Sequence, residues 1–96
     1  MITTDDLLPY IGRPVSMWHF TPSHDRLVLR ISGIGHEPCY LVISGTEHVH
    51  VPMVWTVTRP ATVQVDKKLA ELLDVDVRVL CQDLSLHPEY HTRCDY

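Results

Sequence analysis

From His48 to Val57 the chain alternates with a period of two. Val49, Val51, Met53, Trp55 and Val57 stand against His48, His50, Pro52, Val54 and Thr56. Successive side chains of an extended strand point to opposite faces, so this pattern predicts a half-buried β-strand rather than a helix. Pro52 lies inside the run and has no N–H to give a ladder. It places the strand at a sheet edge or marks a bulge. Residue usage agrees, with twelve Val, five Ile and eight Thr against two each of Ala, Lys and Gln. Branching at Cβ restricts χ1 in a helix and suits a pleated surface.

The same period recurs on either side. Val15 to Phe20 alternates with apolar or aromatic groups on both faces, which predicts that both sides of this strand are covered. Thr21-Pro22-Ser23-His24-Asp25 reads as a turn. Leu27, Leu29 and Ile31 form one face, and Cys39, Leu41 and Ile43 the next, opposed by Tyr40 and Val42. Ser44-Gly45-Thr46 predicts a tight hairpin. Val63 and Val65 suggest a short fifth strand, and Val75, Val77, Val79 and Cys81 a last one. Asp66 followed by Leu69, Leu72 and Leu73 at i, i+3, i+4 predicts a capped helix through about Leu73. Thr3 to Leu8 predicts one capped helical turn before Pro9 and Gly12. The expected fold is mainly β: a small antiparallel β-barrel or sandwich of five to six strands with one short α-helix, residues 1–96 forming a single domain.

Bulk chemistry excludes several roles. Eight Lys and Arg are spread along the chain and outnumbered by twelve acids, for a formal charge of −4. Nucleic acids call for a concentrated basic face, so no nucleic-acid partner is expected. No apolar run reaches the length of a membrane span, and no membrane partner is expected. Cys39, Cys81 and Cys94 are odd in number and widely spaced, which favours free thiols and a reducing cytoplasm over a disulfide framework. Protonating all seven histidines would carry the formal charge from −4 to +3.

Two His/Cys groups could hold a metal. His48 and His50 share a strand face roughly 6.6 Å apart. The pair resembles the His-x-His that opens the cupin metal motif, but no acid lies between Pro52 and Pro60, and the resemblance ends there. The tail supplies His87, His91 and Cys94. Together the five would form a zinc-like site if the tail met the His48/His50 face. Catalysis finds no complete set: Ser32 and Ser44 precede turn glycines without a nucleophile motif, and Cys94 with His87 or His91 is the one thiol-enzyme arrangement. Large rings on a small body point instead to contact. Trp18, Phe20, Tyr40 and Trp55 are the candidate interaction residues, for a protein partner or a second copy in a homodimer. The leading expectation is therefore a non-catalytic interaction or accessory module with no cofactor. A zinc-binding protein and a small thiol or hydrolytic enzyme are the alternatives.

Overall fold

The computed structural model describes residues 2–21, 26–33 and 37–88. It is mainly β, with two antiparallel sheets and one short helix. Helix α1 (Thr4–Leu7) runs into a 3-10 turn (Leu8–Tyr10). The strands are β1 (Pro14–Thr21), β2 (Arg26–Ile31), β3 (Cys39–Ser44), β4 (His48–His50), β5 (Val54–Thr56), β6 (Ala61–Gln64), β7 (Ala70–Asp74), β8 (Val77–Cys81) and β9 (Asp83–His87). One sheet has the order β5-β1-β2-β3-β9 and the other β4-β8-β7-β6.

A single core serves both sheets. Leu27, Leu29, Leu41, Ile43 and Leu84 from the five-stranded sheet cluster with Leu72, Val79 and Cys81 from the four-stranded one, and Leu7 of α1 joins them. Each comes from the apolar phase of its strand, as period-two alternation requires.

The segment after Gly45 behaves as its alternation predicts. His48 and His50 face solvent, Val49 and Trp55 pack against the core, and Val57 is buried; Met53, 72% exposed, is the exception. Pro52 does more than mark an edge. It divides the run, so that β4 pairs with β8 while β5 pairs with β1 in the other sheet. Both fragments are edge strands.

Three local expectations are corrected. Ser44-Gly45-Thr46 does not close a hairpin, because β3 pairs with β2 and β9 and the chain passes there to the other sheet. The segment after Asp66 is not a helix. Asp66 does cap, its Oδ1 accepting the N–H groups of Lys68 at 2.7 Å and Leu69 at 2.9 Å. The Val65 N–H donates to the Leu69 carbonyl at 2.9 Å, closing a β6–β7 hairpin. Leu72 and Leu73 then extend in β7, paired on both sides by β6 and β8. Val75 lies in the next turn, exposed, with Asp76 at φ 58°, and the inward phase starts at Val77.

The helical turn at the start forms as expected. Thr3 N–H donates to Asp6 Oδ2 at 2.8 Å and its hydroxyl reaches the same oxygen at 3.3 Å, a capping arrangement. This segment also touches an edge strand of each sheet. Ile2 N–H donates to the Leu84 carbonyl of β9, and Thr4 Oγ1 accepts the Thr62 N–H of β6.

Candidate functional site

The outward face of the five-stranded sheet gathers the chain's unusual side chains. It is organised by an irregularity in β1. Val15 and Met17 stand opposite Ile31 and Leu29 on the core side, but His19 then pairs with Val28 and Phe20 with Leu27. Trp18 is the extra residue of this β-bulge, and the bulge turns the phase of the strand. The two rings expected on one face of β1 are thereby separated. Phe20 takes the register of core-facing Leu27 and remains 42% exposed. Trp18 is displayed outward, 46% exposed.

Trp18 does not stand alone. The Arg30 guanidinium lies over its indole at 4.8 Å from the ring centroid, and the Tyr40 ring packs beside it at 6.1 Å and 58°. Arg30 and Tyr40 are direct cross-strand partners, which is what brings these groups together. Beneath this layer Val28 and Val42 face each other across β2 and β3, with exposures of 0% and 2%, and Tyr40 packs on them. Tyr40 is thus held on a buried apolar footing, and Trp18 is held beside it by Tyr40 and Arg30. Stacking of arginine on tryptophan holds the guanidinium plane and contributes about 0.5–1 kcal/mol at such partly exposed sites.

Of the other ring positions, Trp55 is half-buried against the core. Its Nε1 is buried without a hydrogen-bond partner. It lines a cavity of about 20 Å³ with Tyr10, Val15, Val57 and Leu72. That volume holds about one water, and the walls are apolar. No organic ligand fits there.

Ser85 and His87 are a pair that the sequence reading passed over. Both lie on the outward face of β9, with Ser85 Oγ 2.9 Å from His87 Nε2. The distance suits a nucleophile and its base. Strand N–H groups, however, lie in the plane of the sheet while side chains stand perpendicular to it. Among the described residues no pair of backbone donors therefore converges above Ser85 to hold an oxyanion. The signal available in sequence was a Ser-x-His inside a strand, visible only once residues 83–87 are recognised as extended.

The metal candidates are dispersed. His48 and His50 point outward from β4 at the edge of the four-stranded sheet, and His87 is on β9 of the other sheet. His91 and Cys94 lie outside the described residues. Among the described residues no three His, Cys, Asp or Glu side chains gather as a metal site. Cys39 and Cys81 are free. Cys39 Sγ accepts a hydrogen bond from the Tyr10 hydroxyl at 3.6 Å. That bond and burial push the Tyr10 hydroxyl above its usual pKa, with Arg13 opposing. Burial raises the Cys81 thiol to about 11, with the Asp83 charge adding to the effect. Among the described residues no helix is long and apolar enough to span a membrane. Comparison with family models, curated proteins and solved structures finds no match to this chain.

Proposed function

We propose that the protein is a non-catalytic interaction module that binds a protein partner through the outward face of its five-stranded sheet. The observation that carries this reading is the Trp18–Arg30–Tyr40 cluster, a part-exposed indole fixed between a guanidinium and a second ring. Tryptophan, tyrosine and arginine are the side chains that dominate contact energies, because each offers a large area at small entropic cost. Phe20, in the register of core-facing Leu27, is set apart from this surface, while Trp55 supports the core behind it.

The two sheets are read as layers of a sandwich around their shared core, which gives the contact face a rigid backing. The free thiols of Cys39 and Cys81 favour the cytoplasm. A heterologous partner is preferred to a second copy because a self-complementary face would juxtapose its own Arg26 and Arg30 with their like.

Site-specific photo-crosslinking in the native host tests the proposal. A photoreactive residue at position 18 should give one discrete heterologous product, and the same probe at exposed Val63 or Val75, away from this face, should not. Products of equal yield from all three positions, or a product of twice the chain's own mass alone, would overturn it.

A further inference from the structure

The class of partner follows from the charges on that same face, so what comes next rests on the interaction reading above. Its outward described positions carry Arg26 and Arg30 against a single acid, Asp83. Summed over these described positions the formal charge is plus one, on a chain whose formal charge is −4.

Arg30 makes the case specific. Its guanidinium is stacked on Trp18 at 4.8 Å, while its Nε–H is buried and meets no acceptor. Among the described residues no acid forms an ion pair with it; the single described bridge is Arg78 to Glu71 at 2.7 Å, in the other sheet. A guanidinium partly removed from water and left without a counter-anion is costly. Its planar fork matches a carboxylate through two parallel hydrogen bonds. The neighbouring Trp18 and Tyr40 rings and exposed Val54 offer apolar area beside the charge.

We infer that this face binds an acidic peptide segment, with Arg30 pairing a Glu or Asp carboxylate and Trp18 covering an apolar side chain next to it. Single-stranded nucleic acid is the competing occupant, since it too stacks on exposed rings. Two arginines on an acidic chain neutralise few phosphates, whereas one free fork is commensurate with one or two carboxylates. The observations favour the peptide.

The test uses the full chain and three probes: a short peptide alternating glutamate with phenylalanine, its glutamine counterpart, and an oligothymidylate. Binding is read from the indole resonance of Trp18 and by titration at low ionic strength. The glutamate peptide should bind and shift the Trp18 signal, the glutamine peptide should bind at least about tenfold more weakly, and Arg30→Gln should impose a similar loss. Arg30→Lys, which keeps the charge without the fork, should fall between. Equal affinity for the two peptides, or tighter binding of the oligothymidylate, overturns the inference, and the peptide comparison holds even where an Arg30 variant folds poorly. If cross-linking from position 18 yields a partner while the glutamate peptide fails, the interaction face stands and its acidic preference does not.

Discussion

The Thr4 hydroxyl sits on the backbone of Thr62, accepting its N–H at 2.9 Å and approaching its carbonyl oxygen at 3.4 Å. Thr62 is in β6, an edge of the four-stranded sheet, where backbone groups otherwise invite pairing with another chain. Thr4→Val should cost about 1–2 kcal/mol, since a half-buried N–H loses its acceptor while side-chain shape is kept. Thr4→Ser should recover most of that. Denaturant midpoints of the three proteins check the order, and Thr4→Val matching wild type would show that the bond contributes nothing.

Much of this architecture can be read from alternation, and the failures share one cause. Leu27, Leu29, Ile31, Leu41 and Ile43 are all buried in the phase that period two predicts. Asp66 is different. Its carboxylate accepts two nearby N–H groups, which is what an N-cap does, but it serves a hairpin turn. The leucine spacing after it fits either period over so short a run, and pairing with β6 and β8 decides for the strand. Ser44-Gly45 likewise carries a turn signal, yet which strand follows in which sheet is a long-range matter. The ring candidates were visible as residue types. Their division into an outward Trp18 and a core-register Phe20 was not, because it depends on a bulge with no glycine or proline to announce it.

Gly45 has φ +65°, and a Cβ there would lie 2.6–2.7 Å from the Gln82 side chain, including its Cβ. Gly12 has φ +89° with nothing within 4 Å of an added Cβ. Both Ala substitutions carry backbone strain of about 1–3 kcal/mol. Gly45→Ala adds a steric conflict close to the β9 backbone and should be clearly the more destabilised. Thermal unfolding of the pair gives the comparison, and equal loss would assign the whole effect to φ.

Asp74 ties β7 to the segment after β5. Its carboxylate accepts the N–H groups of Thr58 at 3.1 Å, Arg59 at 2.8 Å and Val75 at 2.7 Å. Asp74→Ala should destabilise by about 2–3 kcal/mol, as hydrogen bonds to a charged acceptor are the stronger kind. Hydrogen exchange at Thr58 and Arg59 should accelerate in the variant; unchanged protection at both amides would remove the carboxylate from the account.

Cys81 gives the stability curve a sign at high pH. Burial lifts its thiol from the ordinary 9.0 to about 11, so the folded state holds this proton more tightly than the unfolded chain does. The contribution is complete below about pH 9 and is lost as pH rises toward 11. Tyr10, raised as well, acts in the same direction above its usual 10.0. Cys81→Ala should lower stability at neutral pH by leaving a cavity and should flatten the decline that begins near pH 9. The same burial should leave Cys81 unlabelled by a maleimide at pH 8 under conditions that modify part-exposed Cys39. A variant that keeps the full alkaline slope would place its origin elsewhere.

Trp18 and Leu29 separate contact from folding. Both belong to the central β1–β2 pair, but Leu29 is fully buried and Trp18 is 46% exposed over Arg30 and Tyr40. Leu29→Ala removes core methylenes and should cost about 2–5 kcal/mol. Trp18→Ala removes a ring that solvent already reaches, so its cost should stay within about 1 kcal/mol. Binding should respond in the opposite order. At a temperature where both variants remain folded, Trp18→Ala should lose the partner while Leu29→Ala retains it, because the proposed contact uses groups standing on the sheet and not the core beneath. Parallel losses of affinity and stability in Trp18→Ala would instead make its indole part of the folding unit.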